Sequence, residues 1–191
     1  MVVQNCKLVI IGGSAGSIDV LLKLLPELDH ELPFAIVIVL HRKNTSDSYL
    51  QELLASRTNI KIKEVEDKDE ICPGNIYIAP PDYHLLFEKE NVFCLDDSEK
   101  INYSRPSIDV SFESAAEVYR KNLTGILLSG ANADGTAGLN SIKENGGMIV
   151  AQKPGDAEVS FMPQQAISHT DIDLILNADQ IAAFINSLAN K

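Results

Sequence analysis

Cysteine is scarce in this sequence, and the three present, Cys6, Cys72 and Cys94, form no CxxC pair. An odd count at scattered spacings supplies neither a disulfide framework nor a zinc-ligand set, so buried reduced thiols are expected and no metal. Long apolar runs are missing too. The longest, around residues 8–11 and 34–40, fall well short of the roughly 18 to 20 residues a membrane span needs, and no basic leader opens the chain. A cytoplasmic protein without membrane insertion is expected. Positive charge is also in short supply. A formal charge of −11 over 191 residues repels nucleic-acid phosphate, and no cluster of Lys and Arg rises against that background. Nucleic acid is therefore not an expected partner.

With 45% apolar and 23% charged residues, the chain can bury one substantial core, and a single domain over residues 1–191 is expected. Strand-length apolar runs alternate with amphipathic stretches of helix length. This pattern predicts an α/β fold, a doubly wound, mainly parallel sheet with helices on both faces. Strands are expected at 7–11, 34–40, 61–65, 75–79, 125–129 and 148–151. Helices are expected over 18–25, through Leu50 to Leu54 with Ser46 or Asp47 as cap, and over 109–121, 136–145 and 179–188. Residues 85–87 and 92–95 flank a charged segment and read as one antiparallel hairpin.

Chemistry enters at Gly12-Gly13-Ser14-Ala15-Gly16, which satisfies G-x-S-x-G between a predicted strand and a predicted helix. In that context a serine hydroxyl is lifted from the sheet edge, beside amide N–H groups that can receive an oxyanion. A Gly-rich turn of this kind can also cradle phosphate, although G-x-G-x-x-G itself is not matched. On the motif alone both readings stay open. A nucleophilic serine needs a base and a group to orient it. His41 follows the strand at 34–40, and Asp134 lies in the loop after 125–129. Sites in open α/β sheets form beyond the carboxyl ends of strands, where Ser14, His41 and Asp134 all fall. His84 is the rival base, but its place before Leu85 and Phe87 suggests a residue at the base of the hairpin. His30, His169, Asp19 and Asp156 read as exposed. The order Ser, His, Asp differs from the Ser, Asp, His order of the α/β-hydrolases. No acid ends the second strand to hold a ribose; His41 and Arg42 stand there.

Over nearly its whole length the sequence resembles the methylesterase domain of the CheB family. The likeness rests on residues 11–16, the His41 segment, residues 63–67, residues 73–80 with His84-Leu85, residues 105–110, residues 129–135, and Met162-Pro163 with Ala166-Ile167. The resemblance implies Ser14 as nucleophile, His41 as base, Asp134 as its orienting acid, and the Ala15 and Ala131 N–H groups as oxyanion hole. It implies no cofactor. It also implies hydrolysis of glutamate γ-methyl esters, and deamidation of glutamine, on the cytoplasmic helical region of chemoreceptors. Ser17, Ile18, Leu40, Arg42, Ala131, Asn132 and Gln164 depart from the family's usual residues. Asn132 is expected to adopt a left-handed turn in place of glycine, and Gln164 bears on the surface that receives the receptor. Only six residues precede the first strand, too few for the receiver domain usual in the family. Activity of the chain alone, or control by a separate receiver protein, is the corresponding expectation.

Overall fold

A computed structural model describes residues 7–42 and 49–189. Seven strands, all parallel, form one sheet: β1 (Leu8–Gly13), β2 (Ala35–Leu40), β3 (Lys61–Glu64), β4 (Asn75–Ile78), β7 (Leu123–Leu127), β8 (Met148–Gln152) and β9 (Leu174–Leu176). Their order is β3-β4-β2-β1-β7-β8-β9. The hairpin β5 (His84–Glu88) and β6 (Val92–Asp96) stands apart as a second, antiparallel sheet. The helices are α1 (Ser17–Leu24), α2 (Tyr49–Ala55), α3 (Ile108–Tyr119), α4 (Thr136–Glu144), α5 (Phe161–His169) and α6 (Ala178–Ala189). The expected fold class is borne out.

Both faces of the central strands are apolar because both are covered. Val9 and Ile11 of β1 join Leu21 of α1, Leu54 of α2 and Ile185 of α6 in one core. Leu8 and Ile10 point the other way, into a core with Phe112 of α3, Leu139 of α4, Met162 of α5, and Leu85 and Phe93 of the hairpin. Period-two alternation along one strand thus feeds two layers of helices.

Gly12 and Gly13 belong to β1, not to the turn expected from their composition. A Cβ on Gly12 would lie 2.5 Å from Ile108 Cγ2 and 3.0 Å from Phe112. The glycine is therefore a strand residue that lets α3 approach the sheet. The turn is confined to residues 14–16, where Gly16 has a φ of 78° and caps α1. Such a φ is the conformation a side chain disfavours.

Two elements were not expected. Helix α5 carries Pro163 in its first turn, where a missing N–H costs no helical hydrogen bond. Strand β9 has three residues and little alternation to mark it. Cys72 is exposed and Cys94 half-buried, against the expectation of buried thiols. Cys72 lies in the irregular segment before β4, where its N–H donates to Tyr77 Oη at 3.0 Å. Cys6 and the expected helix caps Ser46 and Asp47 lie outside the described residues.

Candidate active site

Strand β1 has β2 on one side and β7 on the other, so the chain reverses direction across the sheet at this point. In such sheets the crevice beyond the carboxyl ends is the natural site. Gly13 is in register with Leu40, and the His41 N–H donates to Gly13 O at 3.2 Å. Ser14 and His41 are consequently the next residues along adjacent strands. On the other side, the Ser14 N–H donates to Ser129 O at 2.9 Å, tying the serine to the segment that follows β7. Ser129 reinforces the tie, because its hydroxyl donates to Ala15 O at 2.7 Å and accepts the Val159 N–H at 2.9 Å.

His41 Nε2 lies 2.6 Å from Asp134 Oδ2. The Asp134 carboxylate is 1% exposed and is saturated with donors. Oδ2 also accepts the Ile108 N–H at 2.7 Å. Oδ1 accepts Ser107 Oγ at 2.9 Å, the Asp109 N–H at 3.0 Å and Asn102 Nδ2 at 3.3 Å. Two of these donors are the first N–H groups of α3, whose positive end favours an anion. Burial on its own works to raise the Asp134 pKa. The hydrogen bonds from His41 and from the backbone of Asp109 and Ile108 outweigh it and hold this carboxyl well below the usual range.

With Nε2 committed to Asp134, Nδ1 is the nitrogen left to accept a proton. Asn132 Nδ2 stands 3.5 Å from Nδ1, and Ser14 Oγ makes no hydrogen bond to His41 among the described residues. Asn132 does not take the left-handed conformation expected of it. Its Oδ1 accepts the Asp134 N–H at 3.2 Å, which closes the turn without a positive φ. Ala15 and Ala131 are exposed. Among the described residues neither N–H donates to a protein acceptor.

His84 is 1% exposed and structural. Its Nδ1 accepts the Ser107 N–H at 3.2 Å and its Nε2 lies 3.0 Å from Glu99 O. His30, His169, Asp19 and Asp156 are exposed, although Asp156 also accepts the Ala178 N–H at the start of α6. Asn102, Ser107 and Asp109 around Asp134 were not recognised from sequence as neighbours of the site. Only the adjacency of Ser107 and Asp109 to a helix start hinted that N–H donors would be available there.

A match to the CheB methylesterase family covers residues 9–185. The chain belongs to the CheB methylesterase family. It is 48% identical over 179 residues to a Leptospira interrogans protein, spanning 94% of this chain and 93% of that one. A Thermotoga maritima protein-glutamate methylesterase/protein-glutamine glutaminase is 36% identical over 178 residues, 92% of this chain but 52% of its own length. The fold matches the crystal structure of the Thermotoga maritima CheB methylesterase catalytic domain with a TM-score of 0.92 at 35% identity, covering 96% of this chain and 98% of that one. Among the described residues no helix is long and apolar enough to cross a membrane.

Proposed function

We propose that this CheB-family chain is a protein-glutamate methylesterase and protein-glutamine glutaminase. Ser14, His41 and Asp134 form its catalytic triad. The observation that carries this reading is the 2.6 Å contact of His41 Nε2 with the buried Asp134 carboxylate, together with the register that sets Ser14 beside His41. The substrate is a glutamate γ-methyl ester on the cytoplasmic helical region of a chemoreceptor, which places the enzyme in the cytoplasm. A separate receiver protein is a second candidate partner.

Ser14 Oγ attacks the ester carbonyl while His41 Nδ1 takes its proton, and the imidazolium that forms is stabilised by Asp134. The tetrahedral oxygen is received by the Ala15 and Ala131 N–H groups, which among the described residues donate to no protein acceptor. His41 returns the proton to the leaving methoxide, releasing methanol. Water then enters with His41 as base and frees the glutamate carboxylate. With glutamine the same sequence releases ammonia. Asn132 Nδ2 sits at the outer limit of hydrogen bonding to Nδ1, so a serine hydroxyl can displace it. Beside His41 opens a cleft of about 500 Å³, lined in part by Arg42, Tyr103 and Arg105. An ester on a long, flexible side chain can reach the site through it.

Methanol release from methylated chemoreceptors, by the wild-type chain and by Ser14→Ala, tests the proposal. Release that depends on Ser14 supports it. Release that is equal in the two proteins overturns it.

A further inference from the structure

A second buried carboxyl stands behind Asp134. Asp109, in the first turn of α3, is 8% exposed. Its Oδ1 accepts the N–H groups of Gly135 and Gly138, both at 2.8 Å, and so joins α3 to the start of α4. Its Oδ2 accepts Asn102 Nδ2 at 3.1 Å, and the same nitrogen reaches Asp134 Oδ1 at 3.3 Å. The Asp109 backbone N–H also donates to Asp134 Oδ1 at 3.0 Å, so the two buried carboxyl groups are neighbours bridged by the Asn102 amide nitrogen.

Two neighbouring carboxylates in a buried site repel each other unless a cation or a shared proton intervenes. Among the described residues no Lys or Arg pairs with either group. His41, the cation formed during turnover, contacts Asp134 and not Asp109. Asp134 receives five donors against three for Asp109 and is the better hydrogen-bonded anion, so a shared proton belongs on Asp109.

We infer that Asp109 is a positioning residue that keeps a proton and donates it in a hydrogen bond to the Asp134 carboxylate, fixing the group that orients His41. This rests on the Ser14, His41 and Asp134 reading and adds a member that it leaves out. Burial first, and then the neighbouring Asp134 charge, push the Asp109 carboxyl well above the usual carboxylate range. The titratable groups around it are Asp134 and His41, Glu113 one turn on along α3, His84 behind Ser107, and His169 across the cleft on α5. Asn102 and the α4 N–H groups that touch it are uncharged. When Asp109 ionises, the hydrogen bond is lost and Asp134 faces a like charge.

The experiment measures the rate at which a serine-directed phosphonate labels Ser14, from mildly acidic to alkaline pH, in the wild type, Asp109→Asn and Asp109→Ala. The wild-type rate should fall at alkaline pH as Asp109 ionises. Asp109→Asn keeps an acceptor for the α4 N–H groups and a permanent donor to Asp134. It should retain most of the rate and lose the alkaline fall. Asp109→Ala should be slower by about tenfold or more, as expected when a catalytic group is misplaced. The wild type should also show an infrared carboxylic-acid band at neutral pH that disappears in Asp109→Asn. An unchanged alkaline fall in Asp109→Asn, or no such band in the wild type, overturns the inference alone. Failure of Ser14 to be labelled in the wild type overturns the triad reading and this inference with it.

Discussion

Asn132 Nδ2 stands 3.5 Å from His41 Nδ1, while Asp134 holds the other ring nitrogen, so the two nitrogens face chemically different partners. One end of the imidazole is fixed by a buried anion and the other meets a weak, exchangeable neighbour. This asymmetry suits the proposed role of His41, which is to accept a proton and return it.

Replacing Ser14 with alanine should lower methanol release by about three to six orders of magnitude, because no remaining group can form the acyl-enzyme. Ser14 is half-exposed and its backbone N–H, not its hydroxyl, holds Ser129. The melting temperature should therefore stay close to wild type. Turnover measured beside a thermal melt checks both halves of the prediction.

The two histidines should separate by phenotype. His41→Ala should cost about as much activity as Ser14→Ala. His84→Ala should instead destabilise, by roughly 1–3 kcal/mol, because it leaves the buried Ser107 N–H without its acceptor. Its effect on rate should be small at temperatures where the variant stays folded. A His84 variant that is stable but inactive would move the base to His84.

Asp134→Asn should reduce turnover by about four orders of magnitude, since an amide cannot stabilise the imidazolium. It should also weaken the fold at neutral pH, because an amide nitrogen cannot accept the donors around it. The pH dependence has a definite sign. Asp134 is held below its unfolded value, so its contribution to stability is fully present above about pH 4, the unfolded carboxylate range, and is lost as pH falls toward the depressed folded value. Melts of the two proteins should converge in acid. A gap that instead widens in acid would contradict this assignment.

Gly12→Ala tests the close approach of α3 to β1. The new methyl would meet Ile108 Cγ2 at 2.5 Å, and forcing α3 outward should cost about 1–3 kcal/mol. Since the Ile108 N–H binds Asp134, turnover should fall together with stability. A melt unchanged from wild type would mean that α3 accommodates the methyl without moving.

Much of the candidate site is legible in the sequence, and for a local reason. The G-x-S-x-G turn, the histidine ending the second strand and the aspartate after the strand β7 are each marked by neighbouring residues, and parallel strands bring their carboxyl ends to one edge whatever their order. The separated motifs that carry the family likeness are likewise linear features. Linear pattern could not reveal that Gly12 is a strand residue, because the reason lies in Ile108 and Phe112, almost a hundred positions away. Nor could it assemble Asn102, Ser107 and Asp109 around Asp134. Those contacts depend on the depth at which α3 packs on the sheet, which decides where its first N–H groups point. Residue order along the chain determined which groups end at the edge that holds the candidate site. The packing of α3 against β1 and α4 decided which nitrogen of His41 is held, what surrounds Asp134, and that a second carboxyl lies buried beside it, since burial and proximity arise only when distant segments exclude water together.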